Sequence, residues 1–154
     1  MTEQSESISD RIIAEARSMI GLPFHHQGRD SAIGVDCRGL LLVIADRLGY
    51  QHADWRNDYA REPNPQEFRA ALETDLVLLP SIEDALLGDV FLIRFPRQKP
   101  EEATHCAVLA EGPFESMLIH SFAGDYAGKV LEEPRRRWEP YLVAAFTWIP
   151  ERFT

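Results

Sequence analysis

The chain has 154 residues, enough for one domain that buries a core without disulfide staples, and 45% of it is hydrophobic, which excludes a disordered chain. A net charge of −9, from 16 basic and 25 acidic side chains, argues against nucleic acid as a partner, because phosphate contacts need clustered Lys and Arg, and Arg135 to Arg137 is too short a run to reverse the balance. No apolar run approaches membrane-spanning length, which argues against membrane insertion, and two cysteines cannot make a four-ligand zinc ribbon.

The opening "MTEQSESISDR" has acids and serines where a secretory signal carries a basic and then an apolar segment, so the expectation is synthesis in the cytoplasm without export. Free thiols are then the expected state of Cys37 and Cys106. The first periodic segment, Ile8 to Ile20, puts Ile8, Ile12, Ala16, Met19 and Ile20 on one helical face. Ser7 with Asp10 resembles a capping box, and Gly21 followed by Pro23 is a stop signal. A loop rich in Gly, His, Asp and Ser runs to Val35, and a second helix is predicted from about Asp36 to Leu48, burying Leu40, Leu41, Ile44 and Leu48 and ending at Gly49.

Tyr50 to Pro63 has no usable period and reads as an irregular excursion that could line a cleft. Asn64, Pro65 and Glu67 supply a cap, a first-turn proline and a capping partner for a third helix to about Asp75, and a turn of helix is expected at Ser81 to Leu86. From Gly88 the pattern changes to strand-length runs: Val90 to Phe95, His105 to Ala110, Met117 to Phe122, Lys129 to Glu132 and Val143 to Ile149. Helices first and neighbouring strands afterwards predict an α+β domain, with N-terminal helices packed on an antiparallel sheet of about five strands, over residues 1–154 as a single domain.

Cys37 falls at the predicted N-terminus of a helix, where unpaired N–H groups and the helix dipole favour a thiolate. The local sequence leaves it evenly balanced between a nucleophile and a small buried packing residue. Gly39 leaves room for another chain or a substrate to approach. A thiolate needs an imidazole within reach and a third polar group to orient the ring. His105 opens one strand and His120 lies in the next, which a hairpin brings side by side. Alternation sends Cys106 to the face opposite His105, so Cys106 reads as core. Asp36 reads as a cap, Asp89 as a turn residue, His52 as exposed and without a role, and Arg38 as pointing about 100 degrees away from the thiol and therefore not catalytic.

Taken in order, "GLPFHHQG", "VDCRGLL", "LLGDVFLIRF", "THCAVLAE" and "MLIHSF" resemble the successive motifs of the NlpC-type cell-wall cysteine peptidases, from about Ile12 to Trp148. "FHHQGRD", Trp138 and the closing "AAFTWIP" look most like the branch encoded with phage tail-tip genes. The resemblance implies a papain-like α+β fold in which Cys37 attacks a peptide carbonyl, His105 is the base and His120 orients it. It implies the stem peptide of peptidoglycan as substrate, phage tail-tip or hub proteins as partners, and no metal or organic cofactor, with the backbone N–H of Cys37 in the oxyanion hole. Many relatives carry a tyrosine after the G-x-P, where this chain has Phe24; His25 or His26 are candidates to take its place, and Asp36 borders the same site. Two other readings keep the same residues: a structural tail-tip or assembly protein with little turnover, favoured by Phe24, and a cytoplasmic amidase or acyltransferase using the same Cys and His.

Overall fold

A computed structural model describes residues 7–53, 64–124 and 128–153. Helix α1 (Ile8–Ser18) starts where Ser7 Oγ accepts the N–H of Asp10 at 3.1 Å, and it buries Ile12, Ile13 and Ala16. The helix stops two residues short of the predicted end. Ile20 is consequently half exposed rather than on the buried face, because Gly21 turns away to donate its N–H to Val130. A two-stranded ribbon, β1 (Arg29–Asp30) and β2 (Gly34–Val35), precedes helix α2 (Cys37–Arg47).

Asp36 caps α2, its Oδ1 accepting the N–H of Gly39 at 2.7 Å and its Oδ2 that of Gln27 at 2.9 Å. Every residue from Cys37 to Ala45 is buried, since α2 is wedged between α1 and the sheet. The space left by Gly39 is filled by the chain itself, not by a substrate: a Cβ there would collide with the carbonyl of Gly28. Helix α3 (Pro65–Asp75) begins at Asn64, whose Oδ1 accepts from Gln66 and Glu67. Most of the expected excursion, residues 54–63, lies outside the described residues.

The remaining strands are β3 (Val77–Leu78), β4 (Val90–Ile93), β5 (His105–Ala110), β6 (Met117–Phe122), β7 (Lys129–Pro134) and β8 (Leu142–Thr147). They form one antiparallel sheet in the order β3-β8-β4-β5-β6-β7, so the α+β expectation holds with six strands in place of five. The extra edge strand, β3, is two residues long, too short to show a period-2 pattern. The expected helical turn at Ser81 to Leu86 is a short 3-10 turn, Ile82–Asp84. Asp89 fixes the entry to β4 as expected, its carboxylate accepting from Leu86 N–H at 2.8 Å and from the Thr147 hydroxyl at 2.7 Å.

The sheet separates two hydrophobic clusters. Val90, Leu92, Cys106, Val108, Ile119 and Val130 join α1, α2 and α3 in the larger one. Phe91, Ile93, Ala107, Leu109, Leu118, Phe122 and Trp138 make the other. Ile119 is registered opposite Val108, so His120 faces the same side as Ala107 and His105.

Candidate active site

The local rules that start α2 also decide where Cys37 sits. Asp36 is extended and half outside the helix, so Cys37 is its first helical residue, 9% exposed at the wall of a cleft of about 900 Å³. His105, the first residue of β5, lines the same cleft. The cleft lies where the two clusters meet: Cys37 and Phe68 come from the helix side, His105 and Phe122 from the other. Phe24, His26, Asp36, Arg38 and Ser121 also line it.

His105 Nε2 and His120 Nδ1 are hydrogen-bonded at 2.8 Å. This leaves Nδ1 as the nitrogen of His105 not engaged by His120. Rings enclose the pair: Phe95 lies 5.1 Å and Trp138 6.0 Å from His105, and Phe122 stacks on His120 at 4.9 Å. Burial, and then the neighbouring charge of His120, pushes the pKa of His105 well below the ordinary imidazole value. The ring therefore rests neutral near pH 7, as a proton acceptor must.

The hydrogen-bonded chain does not stop at His120. Its Nε2 meets Glu133 Oε1 at 2.9 Å, and the Trp138 indole N–H donates to the same oxygen. Glu133 is buried on β7, registered opposite Leu118 and so diagonal to His120 on one face. Burial works to raise its pKa, but the hydrogen bonds from His120 and Trp138 prevail and hold it below the usual carboxylate value. Sequence reasoning passed over this residue. The signal was the pair Glu132 and Glu133 in a strand, which alternation must send to opposite faces: Glu132 accepts from Arg17 of α1, at 2.9 and 3.1 Å, while Glu133 turns to His120.

Cys106 is core, as expected, yet it also touches the site, since its thiol donates to the carbonyl of Cys37 at 3.5 Å. Hydrogen bonding to Cys37, and then burial, holds the Cys106 thiol well above its ordinary pKa. Of the two histidines offered in place of a tyrosine, His26 borders the cleft and His25 does not, because the His25 ring is exposed and its Nδ1 bonds the carbonyl of His26 at 3.1 Å. Arg38 lines the cleft wall as well, with its guanidinium 5.8 Å from the Phe68 ring centre. His52 is half buried, and its Nε2 meets Asp46 at 2.9 Å. Among the described residues no group of three or more His, Cys, Asp or Glu is placed to hold a metal ion, and no helix is long and apolar enough to cross a membrane.

No family model and no curated protein matches the chain. Solved structures do. An NLP/P60-family protein similar to lipoprotein, from Staphylococcus aureus, matches at 23% identity with a TM-score of 0.63, covering 96% of this chain and 43% of its own. The NlpC/p60 domain of the peptidoglycan hydrolase SagA matches at 19% identity and 0.63, covering 90% and 97%. RipD from Mycobacterium tuberculosis, described as a non-catalytic NlpC/p60 domain protein adapted to peptidoglycan binding, matches at 16% and 0.56, covering 94% and 99%. The chain thus has the α+β fold of NlpC/p60 domains, and it spans less than half the length of the staphylococcal protein.

Proposed function

We propose that the protein is a peptidoglycan-directed cysteine peptidase in which Cys37 is the nucleophile, His105 the general base and His120 the residue that orients it. The observation carrying this reading is the meeting of Cys37 and His105 in one cleft, with the second nitrogen of His105 already held by His120. In this reading Nδ1 of His105 accepts the thiol proton as sulfur attacks the amide carbon, and the same proton later goes to the departing amine. Water then hydrolyses the thioester. The backbone N–H of Cys37 serves the developing oxyanion; Asp36 caps the helix through Gly39 and leaves that N–H to the substrate. His26, at the cleft edge, takes the place of the hydroxyl that Phe24 lacks.

The substrate class is the peptidoglycan stem peptide, supported by the shared fold with the hydrolase SagA. Two finer readings go with it: a single domain over 1–154, supported by length and composition, and carriage in a phage tail tip beside hub proteins, supported by "FHHQGRD", Trp138 and "AAFTWIP". A non-catalytic wall-binding role is the second reading, favoured by Phe24 and by RipD, which keeps the fold without turnover. Digestion of purified peptidoglycan separates the two. Wild type is expected to release new amino termini and Cys37→Ala none; equal products from both would leave the binding role standing and the peptidase reading refuted.

A further inference from the structure

The hydrogen bonds behind His105 have a direction, and one end of the chain determines it. We propose that Glu133, together with the Trp138 indole, is a positioning residue that fixes which nitrogen of each imidazole carries the proton, so that His105 presents a lone pair to Cys37. The inference rests on the peptidase reading and deepens it.

Trp138 Nε1–H is a donor with no capacity to accept, and it points at Glu133 Oε1. That oxygen is therefore an acceptor whatever the state of the other one. The contact of His120 Nε2 with the same Oε1, 2.9 Å long, must then be filled by a proton on His120. A neutral His120 protonated at Nε2 has its lone pair on Nδ1. The 2.8 Å contact between the rings is in turn filled by a proton on His105 Nε2. A neutral His105 with that proton carries its lone pair on Nδ1. With both rings neutral, polarity thus passes from β7 through β6 to β5 in one direction, and the burial of all three side chains keeps solvent from competing for these positions.

The depressed pKa of Glu133 agrees with an ionised, accepting carboxylate. Its second oxygen has Arg137 Nη1 at 3.7 Å, which leaves Oε1 to Trp138 and His120. Reversing the polarity would put an N–H of His105 against the thiol and remove the base without displacing any ring.

The test is long-range ¹H–¹⁵N spectroscopy on the full chain labelled with ¹⁵N-histidine, paired with alkylation of Cys37 by iodoacetamide at pH 7. In wild type both rings are expected as the Nε2–H tautomer. An Nδ1–H tautomer at His120 in wild type overturns the proposal with no variant needed. Glu133→Leu is expected to mix the tautomers and slow alkylation about 10²-fold, within the range that misplaced acid–base groups cost. Glu133→Gln keeps an oxygen fixed by Trp138 and is expected to preserve both tautomers and restore most of the rate. The double variant Glu133→Gln with Trp138→Phe frees the amide to turn its NH₂ toward His120, and is expected to lose the rate again. A Leu or double variant with wild-type tautomers and alkylation would overturn the assignment. Neither readout uses peptidoglycan. Correct tautomers and fast alkylation in a protein that releases nothing from the wall therefore refute the substrate, while reversed tautomers in an active peptidase refute the relay.

Discussion

The two faces of the central sheet bury comparable side chains with different chemistry. Around α1 and α2 the contacts are mainly aliphatic, with Ile12, Leu40, Leu41, Ile44, Val90 and Ile119 packed together, while Phe68, Phe146 and Trp148 add rings to the same cluster. On the other side, beside Ile93, Leu109 and Leu118, the rings of Phe95, Phe122 and Trp138 surround two histidines, and the Trp138 indole also reaches Glu133. Aliphatic packing is dense and holds a backbone still, but it gives a polar group nothing to bond. Aromatic rings also exclude water, and a tryptophan adds a directed N–H. The helix side therefore holds the thiol, while the aromatic side can keep a hydrogen-bonded relay dry. Cys37 and His105 are where the two meet.

The largest test of that division removes the contribution of the aromatic side. His105→Ala is expected to slow Cys37 alkylation about 10³-fold near neutral pH, because the general base is lost while the helix is untouched. Mass spectrometry of the modified thiol gives the rate, and an unchanged rate would mean that the faces do not cooperate. Next in size is a deletion on the helix side. Leu41→Ala is expected to cost about 3 kcal/mol in urea unfolding, the ordinary cost of a cavity at a fully buried leucine, with the alkylation rate per folded molecule nearly unchanged. A rate that collapses with Leu41 would show that packing and reactivity are not separable.

The same division explains what the sequence revealed. Both long hairpin strands, His105 to Ala110 and Met117 to Phe122, have the bounds the sequence predicts, because each is a short apolar run closed by turn residues and buried on both faces. Cys37, His105 and His120 were legible through motif order, and the structure brings all three to one place. Three features were not legible. Alternation puts Glu132 and Glu133 on opposite faces, but which of them meets His120 depends on the register of β6 with β7, which one strand's pattern does not encode. The place of Arg38 beside Phe68 depends on a long side chain meeting α3, a tertiary contact that helical spacing cannot state. The choice of His26 over His25 depends on a loop with Gln27 at φ 60° and Gly34 at φ 152°, a conformation that residue spacing does not state.

Smaller in effect, but specific to the aromatic side, is acid sensitivity. His105 is buried neutral with its pKa well below the ordinary 6.5, so below pH 6.5 the unfolded chain binds a proton that the folded one refuses. Stability therefore falls as pH drops from 6.5 toward the folded value, at up to about 1.4 kcal/mol per pH unit for this one group. Glu133 has the other sign of perturbation, a lowered pKa, and its loss adds only at lower pH, below the ordinary carboxylate value of 4.5. Urea titrations between pH 7 and 5 should show the slope in wild type and lose it in His105→Ala. A slope that survives the substitution belongs to another group.

The smallest expected effect probes the junction itself. Asp36 holds two backbone donors with two different oxygens, Gly39 N–H on Oδ1 and Gln27 N–H on Oδ2, and so ties the start of α2 to the loop beside the cleft. Asp36→Ala frees both donors and is expected to cost about 1 kcal/mol, the usual loss of an N-cap. Asn normally serves as well as Asp in a cap, but here it has one oxygen for two donors and would turn an NH₂ group against the other. Asp36→Asn should therefore fall between wild type and Ala, unlike at an ordinary N-cap, where it would match wild type. Alkylation sharpens the comparison further. If Asp36 only holds the helix, both variants react within a few fold of wild type once corrected for the folded fraction. A drop that tracks the lost Gln27 bond would instead make the loop part of what aims Cys37 at His105, and the junction a third region with its own role.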